Sequence, residues 1–242
     1  YTERNRVTGK GVLKMRKSIT KMWKGILLAV FFVMCTPQLA EATQQRGAGI
    51  SELEDVTNEG VVIEPDTEEF VCRAGNGTIH WEPAVVDEEW NLISPAKLTL
   101  NNATITTGAK KAIDIFYVRD ITVEVIGTNR ISSNNEETVY IVRDDEYYTV
   151  TITGTGTLEV TTSFPYERSA VWTDVNMCIT GGVNVSVSDC LLVNDLTVDN
   201  ATVSSGMLAV RNTLHVKSGI VDVENAAVGS DLGLWATGKV LV

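Results

Sequence analysis

From Lys97 to the end of the chain, apolar and polar positions alternate in short runs rich in Val, Ile and Thr, halted by Gly, Asn, Asp or Ser. A period of two over so few residues marks a half-buried strand, and no helical period interrupts it. The runs also recur. TLNNATITT at 99–107 returns as TVDNATVSS at 197–205, and ITGTGTLEV at 152–160 as ITGGVNVSV at 179–187. One equivalent position per copy gives Leu100, Val125, Ile152, Ile179, Val198, Val216 and Val242, at steps of 25, 27, 27, 19, 18 and 26 residues. A second motif keeps pace with the first: FYVRD, YIVRD, AVWTD, LLVND and LAVRN. It carries Asp120, Asp144, Asp174, Asp195 and Asn212, with Val118, Val142, Trp172, Val193 and Val210 two places earlier.

Each copy holds about three strands. Strands so short and so closely spaced do not make a sandwich, although a Greek-key sandwich is the rival architecture. They suit the coils of a parallel β-helix, a solenoid stacked about 4.8 Å per rung, with inward residues such as Val123, Val125, Ile131 and Val142 in columns along its axis. Lys239–Val242 reads as the opening strand of a further coil, so the solenoid is expected to be truncated at Val242.

Charge separates the chain into two parts. Of 20 basic and 31 acidic side chains in 242 residues, residues 1–42 hold eight basic and two acidic, which leaves residues 43–242 at a net −17. Such acidity argues against a nucleic-acid partner. Within the basic part, Met15 opens a positive segment (Arg16, Lys17, Lys21, Lys24), an apolar Gly25–Met34 and an Ala40-Glu41-Ala42 site, the three parts of a secretory signal peptide. Residues 15–42 are therefore expected to be removed on export, with residues 1–14 non-native upstream sequence. The apolar stretch is too short to span a bilayer, so the mature chain carries no membrane span. Residues 43–69 read as an acidic linker and 70–96 as a short β cap with a hairpin turn at Asn76-Gly77.

LTLNNATI, AIDI, ITVEVIGTNRI, VTITGTGTLEV and LTVDNATV resemble the rungs of the right-handed parallel β-helix repeats of exported bacterial proteins. The resemblance implies a pectate-lyase-like architecture. It also implies a secreted or cell-surface module that binds a polysaccharide or cell-surface glycan, in line with the clostridial and Bacteroidetes carbohydrate-binding members. A polysaccharide lyase or glycoside hydrolase of the same fold, and a purely structural stalk, are the alternatives.

Two sets of residues are candidate sites. Carboxylates stacked one rung apart repel unless a cation or a donor intervenes, so Asp120, Asp144, Asp145, Glu146, Asp174 and Asp195 form a candidate Ca²⁺ site. The competing reading is a turn column whose Asp and Asn side chains bond the local backbone. Aromatic faces stack on sugar C–H faces, which makes Tyr147, Tyr148, Phe164, Tyr166 and Trp172 candidate sugar contacts. Trp172 shares the column of Val118 and Val142, so a core role competes with that one. No catalytic arrangement stands out: His80 and His215 are the two histidines, and neither has a paired nucleophile or zinc spacing. No cofactor is required. Cys72, Cys178 and Cys190 are an odd set, and the sequence leaves open whether Cys178 and Cys190 pair.

Overall fold

The computed structural model describes residues 53–108, 110–116, 119–134, 137–142, 148–163 and 170–228. The expected signal peptide and the last strand at Lys239–Val242 lie outside them. The described chain is all-β, with no helix. Its strands are β1 (Val61–Ile63), β2 (Phe70–Ala74), β3 (Gly77–Glu82), β4 (Val85–Val86), β5 (Leu92–Ser94), β6 (Ala96–Asn101), β7 (Thr104–Thr107), β8 (Ile113–Phe116) and β9 (Ile121–Ile126). They continue as β10 (Thr128–Ser133), β11 (Val139–Val142), β12 (Thr149–Gly154), β13 (Thr157–Thr162), β14 (Val171–Thr173), β15 (Asn176–Thr180), β16 (Asn184–Val193), β17 (Leu196–Val210) and β18 (Leu214–Val228).

All but β4 and β5 join one 16-stranded, nearly closed sheet whose neighbours are not consecutive in sequence. One ladder runs β6, β9, β12, β15 and the start of β17, every step parallel. A second runs β7, β10, β13 and the start of β16. A third runs β1, β8, β11, β14 and the end of β16. The long β17 and β18 pass through all three. The sheet is mixed, because β2 and β3 form an antiparallel hairpin and β3 lies antiparallel to β6; the two-residue turn is Gly75-Asn76, one place before the expected Asn76-Gly77, since Ala74 pairs with Gly77.

Inside, side chains stack in columns: Leu98, Val123, Ile152, Ile179 and Val198 are buried one above another, as are Ile105, Ile131, Val160 and Val187. The expected column is corrected here by two residues. Ile152 pairs with Val123, while Val125 pairs with Gly154. Both registers keep the same alternation, so the pattern alone does not choose between them. The interior is filled; an apolar void of about 40 Å³ among Leu98, Val123, Ile152 and Leu158 is too small for a ligand. The stretch expected as an acidic linker contributes Val56, Val61 and Ile63 to this core.

The repeated NAT triplets have a conformational cause. Asn102 and Asn200 both turn with φ near +50° (51° and 52°), a left-handed corner that Asn tolerates better than most residues. Above Asn102 sits Gly127, also left-handed at φ 67°, where an added Cβ would meet the Asn102 Oδ1 at 2.1 Å. That oxygen instead accepts the Thr128 N–H.

Candidate functional site

The acidic column expected from sequence is not a stack of carboxylates. Backbone register aligns Asp120, Thr149, Asn176, Asp195 and Thr213, because Ile121, Val150, Met177, Leu196 and Leu214 pair in turn. Asn176 thus stands where Asp174 was expected. Asn212 lies over Asn194, to which its Nδ2 donates at 3.0 Å. Asp120 and Asp195 are three rungs apart, roughly 14 Å, and need no shared cation. Both carboxylates instead secure the next rung: the Asp120 Oδ1 accepts the Thr149 N–H and the Asp195 Oδ1 accepts the Thr213 N–H, each at 2.8 Å. No cluster of three or more His, Cys, Asp or Glu suited to a metal occurs among the described residues. Asp144, Asp145 and Glu146 lie outside them.

Of the expected sugar contacts, Tyr147, Phe164 and Tyr166 also lie outside the described residues. Tyr148 is half-buried just before β12. Trp172 is corrected in register: it pairs with Tyr140 and Leu192, not with Val142, which pairs with Phe116. Its neighbours Val171 and Thr173 are buried. No disulfide joins the three described cysteines, so Cys178 and Cys190 do not pair.

The structure adds a surface element that the repeats did not reveal. β4 and β5 form a two-stranded antiparallel hairpin separate from the main sheet. Trp90, in its loop, is 74% exposed and has φ 68°. An exposed indole in a left-handed backbone is doubly unfavourable, and such strain persists only where surrounding bonds fix it. Asp87 supplies them. Its Oδ1 accepts the Glu89 and Asn91 N–H groups at 3.0 and 2.8 Å, and its Oδ2 accepts the Asn91 Nδ2 at 2.9 Å. The Trp90 N–H donates to the Asp87 carbonyl at 3.1 Å, and the Asp87 N–H to the Asn91 carbonyl at 3.0 Å. These bonds, led by those from Asn91, hold the Asp87 carboxyl below its ordinary pKa. Next to Trp90 in sequence, Glu88, Glu89 and Asn91 are exposed, as are the apolar Leu92 and Ile93. The turn thus fixes the backbone that carries an exposed flat ring, in a loop rich in hydrogen-bonding groups.

A different, mostly polar surface lies on β16, β17 and β18. Ser186, Ser204 and Asp222 align across them, and with Ser188, Gly206 and Glu224 they line an open groove of about 590 Å³. It offers hydroxyl and carboxylate groups but no aromatic face. No protein-family model, curated protein or solved structure matches the chain.

Proposed function

We propose that this chain is an exported, non-catalytic carbohydrate-binding module, built as a right-handed parallel β-helix, whose sugar contact is the Trp90 turn. The observation that carries the reading is the indole of Trp90, 74% exposed and braced by Asp87 in a strained turn. A pyranose presents an apolar C–H face rimmed by hydroxyls. An exposed indole on a braced backbone beside Glu88, Glu89 and Asn91 matches both parts: the ring covers the C–H face and the polar neighbours bond the hydroxyls. The acidic surroundings favour a neutral or amine-bearing glycan over a uronate polymer, whose carboxylates the same glutamates would repel. The solenoid supports this role as a rigid carrier. Successive strands pairing in parallel over three ladders are what winding the chain into coils produces, with β2 and β3 closing one end. Export rests on the segment Met15–Ala42.

Affinity electrophoresis against a panel of neutral, amino and acidic polysaccharides tests the reading. Trp90→Ala should lower affinity for the retained glycan at least about tenfold, with Trp90→Phe intermediate. Equal retention of Trp90→Ala and wild type would remove the turn from the binding site. Release of reducing ends or unsaturated uronates from the retained glycan would make the protein an enzyme instead. Sequencing the secreted product tests export; its N-terminus should fall near Thr43.

A further inference from the structure

A second aromatic site lies on β8 and β11, and it already holds a cation. Lys111 precedes β8, and its Nζ stands 3.3 Å from the centroid of the Tyr140 ring and 6.0 Å from that of Phe116. The two rings meet edge to face, with centroids 6.2 Å apart and planes at 65°. Asp114 and Tyr140 are register partners on the two strands. The Asp114 Oδ1 is 3.6 Å and the Glu137 Oε2 3.8 Å from the Lys111 Nζ. Both distances exceed the roughly 2.7–2.9 Å of a charge-assisted hydrogen bond. On β6 the same side-chain type does reach that length, Lys97 to Glu124 at 2.7 Å. Lys111 is therefore seated closest to the Tyr140 ring, with its two acids as long, weak ion pairs.

Those acids outnumber it. Asp174 follows β14, whose Trp172 pairs with Tyr140. Burial first, then the charges of Glu137, Asp174 and Asp114, push the Tyr140 hydroxyl pKa up, so all three carboxylates act on one phenol. Two of their oxygens, the Asp114 Oδ1 and the Asp174 Oδ1, are shut off from solvent and accept no hydrogen bond. Buried carboxylate oxygens without donors are costly, and a single tethered lysine leaves them so.

We propose that this two-ring corner is a binding seat for a ligand's primary ammonium group, that of an amino sugar or a polyamine, and that Lys111 is a tethered occupant which the ligand displaces. The ring face supplies cation–π attraction, and the carboxylates supply acceptors for ammonium N–H groups. A free ammonium turns its three donors toward those acceptors, whereas the approach of Lys111 is fixed by its stem. Once displaced, the flexible lysine returns its charge to water. A quaternary ammonium fits the ring but brings no donors, so the seat discriminates against it. The seat is separate from the Trp90 turn, and either assignment stands without the other.

Calorimetric titration of the full chain and of Lys111→Met tests this, with ethylammonium, glucosamine, spermidine, tetramethylammonium and, as the neutral control, N-acetylglucosamine. Removing the occupant should tighten ethylammonium binding about tenfold, since the wild-type seat is free only part of the time. Adding Tyr140→Leu should abolish it, while N-acetylglucosamine stays inert. Tighter glucosamine than spermidine assigns an amino sugar, and the reverse a polyamine. The proposal is overturned if Lys111→Met binds no ethylammonium, if Tyr140→Leu leaves binding intact, or if tetramethylammonium binds equally well. Should Lys111→Met fail to fold, ethylammonium added to the wild type decides. Saturable NMR shifts of the Tyr140 and Phe116 rings support the seat, and their absence overturns it.

Discussion

Trp90 illustrates how a residue can be costly to the fold and useful to the molecule. Its left-handed backbone is a conformation that glycine adopts without strain. Trp90→Gly should therefore not lower the melting temperature, yet it should abolish glycan retention; a large loss of stability would show that the indole serves the fold. The bracing carboxylate makes a second prediction. Hydrogen bonds favour its charged form, so Asp87 titrates below the ordinary aspartate value of about 3.9. The stabilisation is present above that value and is lost as pH falls through the lowered one. The Trp90 fluorescence, isolated as wild type minus Trp90→Phe, should hold steady to below pH 4 and change only in stronger acid. Cysteine behaviour follows from burial in the same way. Burial first, then the nearby charges of Glu54 and Asp55, push the Cys72 thiol up to about 12, and burial also raises the half-exposed Cys178. In the folded protein at pH 8, iodoacetamide should modify Cys178 slowly and leave Cys72 and Cys190 unmodified until denaturant is added.

At the scale of the strand, the corners are held by particular polar groups. Asn129 is fully buried in β10; its Oδ1 accepts the Ala103 N–H at 2.8 Å and its Nδ2 donates to the Ile126 carbonyl at 3.0 Å. Replacing Asn129 with Leu strands the Ala103 N–H, while the Ile126 carbonyl keeps the Asn102 N–H at 3.0 Å, and should cost about 1–3 kcal/mol in urea unfolding. A cost well below about 1 kcal/mol would mean that water satisfies the Ala103 N–H. This element also shows what the sequence discloses and what it hides. Asn102 and Asn200 were legible as repeats because both need the same left-handed corner. The slip that sets Ile152 on Val123 was not, since a shift of two residues leaves every side chain on its own face. The same invariance misplaced Trp172. The Trp90 turn was hidden for another reason: it lies in no repeat, and its signal was the short Asp87–Asn91 loop between the apolar pairs Val85-Val86 and Leu92-Ile93. The Tyr140 seat gathers Lys111, Asp114 and Glu137 from two rungs, a proximity that only register creates.

For the molecule as a whole, the side-chain columns couple each strand most strongly to its immediate neighbours. Ile179, fully buried between Ile152 and Val198, is a test of that coupling. Ile179→Ala should cost about 2–5 kcal/mol. Hydrogen exchange should show β12, β15 and the start of β17 losing protection together while β2 and β3 keep theirs; uniform loss would indicate one indivisible unit. A different consequence lies in the polar ladder on the outside. The side chains of Asn176, Asn194 and Asn212 bond one to the next, each 18 residues from its neighbour. The Asp195 bond to Thr213 spans the same interval. A stretch of that length is thus a self-contained module: duplicating residues 195–212 in tandem would repeat every column and turn in phase, making a longer protein with no new kind of contact. Growth or loss of this molecule by whole modules is the kind of change its architecture absorbs most readily, and a gene carrying one extra copy should yield a folded product with matching spectra and higher thermal stability.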